Sequence, residues 1–292
     1  MQNFLSTITK LRMCKKVIFL AGVLTCCLLI STSLYAGDGH ASVYQTTWES
    51  NDSVMFQVGE ELTYNVSYTI FDLGQIRIKI ADKEVDNGTT KYTAIAYIDT
   101  YKGIPFVDLH TIYETKLQSP VYSEWFRART KQDGKWYAIT YDIDYSKRQM
   151  DISEGEFGST NITKKQSVTL DTIYQDGLSL FYFARANVKN HKTINVPTII
   201  QEQKVSTQLN FMNEITTQEI DAVKYPVDVV HFTGRADFVG VYGMSGDFEG
   251  WFSNDDASVP IVAKMKVLIG NIRIELMKWK RDGWTPPQGA ER

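Results

Sequence analysis

The chain has 292 residues, a formal net charge of −3 and an aromatic content of 12%, with 16 Tyr, 14 Phe and 6 Trp. Its three cysteines, Cys14, Cys26 and Cys27, all lie in the first 36 residues, which also carry four positive charges and no negative one. Residues 37–292 therefore have a net charge of −7 and no cysteine. This composition excludes disulfides, thiolate metal sites and cysteine nucleophiles from residues 37–292, and the acidic balance argues against nucleic acid as a partner.

Residues 1–36 have the three parts of an export signal. A positive flank that ends at Lys16 precedes an uncharged apolar core at 17–30, and a short segment of mostly small and polar residues follows up to Ala36. The core is shorter than the roughly 20 apolar residues that a membrane-spanning helix needs. We therefore expect cleavage after Ala36, no stable membrane span after processing and a periplasmic location. An uncleaved anchor is the alternative, and Met13 is an alternative start of translation.

The rest of the chain divides into a lead-in, one domain and a tail. Residues 37–55 are polar and aperiodic, which predicts a flexible lead-in, and residues 281–292 predict a flexible tail. Between them, residues 56–280 show no break in composition and no repeat. A chain of this length is long enough to form its own core without disulfides, so we expect a single domain over residues 56–280.

Residues 62–80 predict the first hairpin of this domain. Apolar and polar residues alternate over 62–70 and again over 75–80, which gives each run one apolar face. Gly74 lies between the two runs, so we expect the turn at residues 72–74.

The same alternation predicts further strands on both sides of a single helix. Residues 146–167 are polar and include a predicted surface loop at 154–158. The last predicted pair of strands is 246–253 with 261–280. Glycines in the region 240–250 recur at a spacing typical of strands that bend or bulge, which allows a sheet to curl.

Residues 176–187 are the only convincing helix of the domain. Asp176 is placed to accept backbone N–H bonds of its first turn. Phe181, Tyr182 and Arg185 share one face, and the opposite face is apolar as well. A helix that is apolar nearly all round must be covered on most sides, and here only sheet is available to cover it. The sequence therefore predicts a mainly β fold, a single antiparallel curved sheet (a β-roll or open barrel) wrapped around one buried helix.

Three blocks of the chain together resemble a known family. They are residues 56–68 with Gly74, residues 176–185 and residues 251–276. Blocks in this order are similar to the bacterial envelope family catalogued as domain of unknown function 3108, over nearly the whole domain. The resemblance implies an exported protein with a mainly antiparallel, rolled-up sheet, and it implies no enzymatic role. Open β-rolls that handle lipids or lipoproteins in the periplasm are similar in architecture only.

Few residues have the spacing that catalysis or metal binding requires. The sequence contains no HExxH, GxSxG or CxxC motif, so we expect no metal and no cofactor. Asp255 and Asp256 are adjacent in a predicted hairpin loop, where two carboxylates can serve as acid and base or bind a cation. Neighbouring residues of a turn, however, more often point apart. Trp251 beside them is a candidate sugar-binding platform, although a tryptophan on an alternating strand is usually part of the core.

Glu60 and Arg185 are candidates for a structural ion pair. Glu60 follows Gly59 at the start of the first strand, and Arg185 lies near the end of the helix. A guanidinium binds a carboxylate through two hydrogen bonds, and a positive charge is favoured at a helix C-terminus. We expect this pair to close one end of the roll. Gly59, Glu60, Gly74, Asp176 and Arg185 are therefore predicted to be structural.

The aromatic content is the remaining indication of function. Large rings either fill a core that spans a wide sheet, or leave an apolar groove that holds an acyl chain or an apolar segment of a partner. We expect a non-enzymatic protein that binds a lipid, a lipoprotein or another apolar envelope component near Phe181 and Tyr182. Two alternatives remain. One is a structural adaptor that docks a partner protein through a sheet edge or through Trp279 and Trp284. The other is a hydrolase of envelope polymers that uses the two adjacent aspartates.

Overall fold

The computed structural model describes residues 55–86, 88–104, 108–118, 121–200, 202–238, 246–266 and 271–290. The predicted export signal, its cleavage site at Ala36 and the lead-in up to residue 54 lie outside this part of the chain. Within it, no helix combines the length and the hydropathy needed to cross a bilayer.

Fourteen strands and the predicted helix make up the described fold. Before the helix, in chain order, the strands are β1 (Glu61–Tyr68), β2 (Phe71–Asp86), β3 (Thr89–Thr100), β4 (His110–Gln118), β5 (Tyr122–Gln132), β6 (Lys135–Asp144), β7 (Gln149–Glu156) and β8 (Ile162–Thr169). After helix α1 (Ser179–Asn187) come β9 (Thr193–Ile200), β10 (Gln203–Gln218), β11 (Val227–Ala236), β12 (Gly246–Ser253), β13 (Pro260–Lys266) and β14 (Asn271–Lys280).

All fourteen strands belong to one antiparallel sheet, in the order β8-β7-β6-β5-β4-β3-β2-β1-β14-β13-β12-β11-β10-β9. The two edge strands come together without a continuous ladder between them. Lys164 and Gln166 of β8 contact Glu202, which follows β9. Gln175, just before α1, forms an isolated parallel bridge with Thr198 of β9. The predicted fold class, an unclosed antiparallel curved sheet around a buried helix, is confirmed.

One face of the sheet, here called the inner face, packs against α1. Tyr182 of the helix shares a buried cluster with Tyr64 of β1 and Ile78 of β2. Ala184 belongs to a second cluster with Phe252 of β12. The helix is thus covered on opposite sides by the two halves of the sheet, as its all-round apolar surface predicts. The other face of the sheet is here called the outer face.

Successive connections of the meander alternate between the two ends of the roll. The turns at 69–70, 133–134 and 157–161 lie at one end, here called the upper end. The turns at 145–148 and 254–259 lie at the opposite, lower end. These names are used below to locate the site.

The first turn lies earlier than predicted. Strand β1 ends at Tyr68 and pairs directly with Phe71, so the turn is at residues 69–70 and not at 72–74. Its first residue takes a φ of 53°, the positive value that a tight two-residue hairpin requires. Gly74 lies inside β2, next to a register shift of the β1–β2 ladder between Val66 and Ser67. The prediction failed because Thr and Ile, which carry no turn signal, form this turn.

The polar region 146–167 contains two strands that the sequence did not indicate. Strand β7 pairs along β6 and buries Met150 and Ile152, whereas β8 is an edge strand with mostly exposed side chains. Because β8 needs no apolar face, its composition resembles that of a loop. The predicted strand at 261–280 is also wrong, since it is two strands, β13 and β14, that pair with each other.

Residues 281–290 are bound to the sheet, which corrects the predicted flexible tail over this range. Gln288 forms an antiparallel bridge with Val227. The Trp284 indole N–H donates to the Asp255 carboxylate at 2.7 Å, and its ring meets that of Trp279 edge-to-face with 5.9 Å between centroids. Both rings are partly buried and pack against the core.

Candidate functional site

A buried ionic cluster closes the lower end of the roll. The Arg185 guanidinium donates to both Glu60 carboxylate oxygens, at 2.6 and 2.9 Å, and its Nε–H donates to the Ala257 carbonyl at 2.9 Å. Arg281 forms a further ion pair with Glu60 and donates to the Met55 carbonyl. The predicted contact between Glu60 and Arg185 is confirmed. The sequence missed Arg281 because that residue lies in the segment predicted to be loose.

Burial and charge act in opposite directions on this cluster. Burial raises the pKa of Glu60, but the guanidinium groups of Arg185 and Arg281 outweigh it, and the pKa is lowered overall. Burial lowers the pKa of Arg185, and the Glu60 carboxylate more than restores it, so that pKa is raised. Glu60 and Arg185 therefore both stay charged at neutral pH. Each charge is tolerated in the core only because the others compensate it.

Two tyrosine hydroxyls near this cluster have no hydrogen-bond partner among the described residues. They belong to Tyr64 and Tyr182, both of which are buried. Burial raises the pKa of both hydroxyls; the positive charge of Arg185 opposes this rise, and the negative charge of Glu60 adds to it. Most buried polar side-chain atoms in proteins are hydrogen-bonded, so these two are exceptional. The rings, rather than the hydroxyls, must supply the stability that these residues contribute.

Asp176 anchors the start of α1, as predicted. Its Oδ1 accepts the backbone N–H groups of Leu178 and Ser179 at 2.7 and 2.8 Å, and its Oδ2 accepts the Thr115 hydroxyl of β4 at 2.7 Å. Asp176 lies two residues before the cap position Leu178, and its carboxylate satisfies two backbone N–H groups at the helix start and ties that start to the inner face. Burial raises the pKa of Asp176, although hydrogen bonds from Ser179, Ser123 and Thr115 oppose that rise.

We expect Asp176→Asn to flatten the dependence of stability on pH. A raised folded-state pKa means that the folded protein binds the proton more tightly than the unfolded chain does. The stabilisation is then greatest in acid and is lost as the pH rises from the unfolded-state value of about 3.9 through the folded-state pKa. Asparagine can accept the same N–H bonds and carries no charge that must be desolvated.

Urea unfolding between acid and neutral pH tests this expectation. Asp176→Asn should lose less stability than the unsubstituted protein as the pH rises. The control Asp176→Ala should be destabilised by about 1 kcal/mol or more because it removes the acceptor of two backbone N–H groups at the helix start. Identical pH profiles for Asp176→Asn and the unsubstituted protein would show that Asp176 does not titrate differently on folding.

The two adjacent aspartates have different surroundings. The Asp255 carboxylate accepts the Ser253 hydroxyl, the Ser258 backbone N–H and the Trp284 indole N–H, so it holds the β12–β13 connection together. Asp256 is exposed to solvent. This arrangement gives no support to a hydrolase that uses both carboxylates. In the described part of the chain, no group of three or more His, Cys, Asp or Glu side chains is placed to hold a metal ion.

Trp251 lies on the outer face and is not an open platform. Its side chain is 6% exposed, because the ring stacks on His231 with 4.9 Å between centroids and an angle of 16°. Lys264 places its Nζ 4.8 Å from the same ring. His231 and Lys264 belong to the strands on either side of β12, so they enclose the indole from both sides. The predicted role of Trp251 as a binding residue is therefore corrected to a packing role.

Several inner-face side chains are only partly buried although register directs them at the interior. They lie closer to the upper end than the fully buried residues of the same strands: Ile76 is half-buried and Ile78 buried, and Ile274 is half-buried and Leu276 buried. The region of the inner face that carries these side chains is here called the upper interior, and its partly buried apolar residues are Ile76, Tyr113, Phe181, Phe248, Met265 and Ile274. Val66, Ile98 and Ile272 are buried exceptions in the same region.

The two predicted binding residues of the helix differ in access. Tyr182 is 0% exposed and lies within the core, whereas Phe181 is half-buried at the margin of the upper interior. Their rings meet edge-to-face with 5.2 Å between centroids. Phe181 is therefore the more accessible of the two rings, and Tyr182 packs behind it.

Aromatic rings pack closely against glycines on part of the inner face. A Cβ added at Gly234 would overlap the Phe248 ring, and one added at Gly250 would overlap the Phe232 ring. The two glycines of β11 and β12 thus leave room for these rings on the inner face. The glycine spacing that predicted bending also serves this packing.

A separate groove of about 700 Å³ lies on the outer face between β1, β14 and the segment 219–226. Two of its charged groups, Arg273 and Glu275, bind each other and the neighbouring backbone. Glu275 accepts the Asp221 N–H at 2.8 Å, and Arg273 donates to the Glu219 carbonyl at 2.9 Å. The groove therefore stabilises the β10–β11 connection, and its polar lining differs from that of the upper interior.

The model of the family described as "Protein of unknown function (DUF3108)" matches residues 63–277. The chain belongs to this family. The solved structure of a beta-barrel-like protein of domain of unknown function DUF1849 from Brucella abortus is similar to this DUF3108 chain at 11% sequence identity, with a TM-score of 0.46, over 76% of this chain and 96% of that one. No curated protein matches the chain.

Proposed function

We propose that this DUF3108 protein binds an apolar chain, such as the acyl chain of a lipid, in the upper interior of its roll and performs no chemistry on it. The observation that carries the proposal is the incomplete burial of inward-facing apolar side chains such as Ile76 and Ile274. Apolar concave sites of this kind are the usual form of a ligand pocket.

The polar groups around the helix also favour an apolar ligand. Glu60 is bound by Arg185 and Arg281, and Asp176 is bound by Thr115 and backbone N–H groups. Because these groups already bind one another, they offer little to an ionic ligand. Each CH₂ of an acyl chain that enters the interior gains about 0.8 kcal/mol.

The proposal includes export to the bacterial periplasm and a place in the cell envelope. It is supported by the three-part leader at residues 1–36. A partner that supplies or receives an apolar envelope component fits the same proposal.

Organic extraction and native mass spectrometry of the purified protein test whether it carries an apolar compound. In parallel, a fluorescent fatty acid should bind the delipidated protein. Ile274→Trp, which fills the upper interior, should weaken this binding at least ~10-fold. The matched control Val85→Trp places the same ring at an exposed site near the lower end and should bind normally. Absence of both a bound compound and fatty-acid uptake, or equal uptake by Ile274→Trp, would refute the proposal.

A structural adaptor is the second candidate, and the exposed edge strand β8 is the observation that favours it. Unpaired strand edges are common sites for added strands from a partner. Cross-linking of a purified partner from a cysteine at Lys165 on β8, but not from one at Lys83 on β2, would support this candidate. Equal cross-linking from both positions would count against edge docking.

A further inference from the structure

A band of charged side chains crosses the outer face of nine adjacent strands. Backbone pairing places its members in two neighbouring rows that run from β14 through β1 and β2 to β8. Adjacent strands are about 4.8 Å apart, so the rows follow roughly 40 Å around the outside of the roll. The charged residues of these two rows, here called the basic band, are Glu61, Arg77, Lys79, Glu114, Arg127, Arg129, Lys165, Lys278 and Lys280.

The basic band is positive although the chain is acidic. Its seven cations and two carboxylates leave a surplus of five positive charges, whereas residues 37–292 have a net charge of −7. The next row toward the lower end carries one lysine and three carboxylates, those of Asp82, Asp142 and Asp151. The next row toward the upper end carries Asp99 and Glu275, and no lysine or arginine on its paired positions from β14 to β4. The positive charge is therefore confined to one path across the sheet.

Only part of this positive charge is neutralised within the basic band. Arg77 pairs with Glu61 at 3.2 Å, and Arg127 and Arg129 share Glu114, at 3.0 and 3.6 Å. The four lysines of the band form no ion pair with any residue that the structure describes, and three of them are exposed. These lysines are therefore available to an anionic partner.

Aromatic rings hold arginines of the basic band in place. The guanidinium carbon of Arg77 lies 4.3 Å from the centroid of the Tyr97 ring, and that of Arg129 lies 4.9 Å from the centroid of the Phe157 ring. Stacking of this kind orients a guanidinium plane and leaves its edge N–H groups able to donate. Because cations cover these rings, the rings are poor platforms for the stacking of bases.

We infer that the basic band binds an acidic polysaccharide, a flexible polymer that carries carboxylates along its length. Such a polymer can follow the band around a convex roll, whereas a flat lipid surface would touch only a small part of it. Single-stranded nucleic acid binds through base stacking as well as through backbone charge, and the covered rings do not provide that stacking. The inference does not depend on the proposed function, because the band lies on the outer face and the apolar site lies on the inner face.

Fluorescence anisotropy with a labelled alginate oligosaccharide tests the inference. At low ionic strength the purified protein should bind alginate and should not bind uncharged dextran of the same length. Added salt should weaken the binding, because it screens charges at the surface. The triple variant Lys79→Gln/Lys165→Gln/Lys278→Gln should bind about 10-fold more weakly.

The control Lys102→Gln/Lys189→Gln/Lys192→Gln has the same net charge as the band variant. It removes three exposed lysines that lie outside the basic band, so it should bind alginate like the unsubstituted protein. All three proteins should unfold at the same temperature, because none of the six lysines is buried and the three in the band form no ion pair with the described residues.

Four results would overturn the inference. They are no binding of alginate, equal weakening by the two triple variants, binding that salt leaves unchanged, and tighter binding of a single-stranded DNA of equal charge. The last result would assign the band to nucleic acid instead. Fatty-acid uptake by the same variants reports separately on the proposed function and should be unchanged, so failure of one proposal is distinguishable from failure of the other.

Discussion

Glu60→Gln should lower the free energy of unfolding by about 3–5 kcal/mol, because it leaves buried guanidinium groups without their carboxylate. Arg185 donates two hydrogen bonds to this carboxylate from within the core, and Arg281 adds a third contact. Removal of one member of a buried ion pair costs more than the pair itself contributes, since the remaining charge stays desolvated. Urea unfolding at neutral pH measures the effect.

Glu61→Gln is the matched control on the neighbouring residue. Glu61 forms a 3.2 Å ion pair with Arg77 in which both side chains are more than one-third exposed, so its loss should cost no more than about 0.5 kcal/mol. Comparable losses for the two variants would show that the lower-end cluster is not buried in solution.

The dependence of stability on pH tests the role of the Glu60 carboxylate independently. Its folded-state pKa is lowered, so its stabilisation is present above the unfolded-state value of about 4.3 and is lost as the pH falls through the lower folded-state value. The unsubstituted protein should therefore lose more stability on acidification below that range than Glu60→Gln does. Parallel acid profiles would contradict the ionised pair.

Tyr182→Ala should destabilise the protein by about 3–5 kcal/mol, whereas Tyr182→Phe should be close to neutral or stabilising. The ring is fully buried, and it meets those of Phe56 and Phe181 at centroid distances of 5.3 and 5.2 Å. Its loss would open a cavity between helix and sheet. The hydroxyl has no partner among the described residues, so its removal costs no hydrogen bond with them.

Thermal unfolding of three variants separates these contributions. Phe181→Ala should cost less than Tyr182→Ala because Phe181 is half-buried at the margin of the upper interior. A cost of more than about 1 kcal/mol for Tyr182→Phe would show that the hydroxyl is hydrogen-bonded in solution. If Tyr182→Ala costs as little stability as is expected for Tyr182→Phe, the helix is not packed against the sheet.

Sequence patterns predicted the strands that have one buried face and one more exposed face. Strand β1 alternates because its inner side chains, such as Tyr64, are buried and its outer ones are not. Strand β8 has no such contrast at the sheet edge and was missed. The turn at 69–70 was misplaced because its position depends on tertiary pairing between β1 and β2, which no local residue signals.

The sequence predicted the charged site residues that lie at the end of a strand or helix. It missed the site residues whose partners are far away in the sequence. Glu60 and Arg185 were paired from their positions at a strand start and a helix end. Arg281 and Thr115 were missed because their contacts join segments far apart in sequence, and only the three-dimensional fold brings them to Glu60 and Asp176. The burial of Trp251 depends in the same way on its neighbours across strands.

Thiol labelling of single-cysteine variants tests the central claim, an accessible apolar interior behind a buried helix, most directly. The native cysteines all lie in residues 1–36, so a cysteine introduced into the domain becomes its only thiol. A small maleimide should modify Ile274→Cys more slowly than the exposed Ile70→Cys and faster than the buried Leu276→Cys. Added fatty acid should slow only Ile274→Cys, by at least ~10-fold. An Ile274→Cys as inert as Leu276→Cys, or a labelling rate that fatty acid leaves unchanged, would contradict the account.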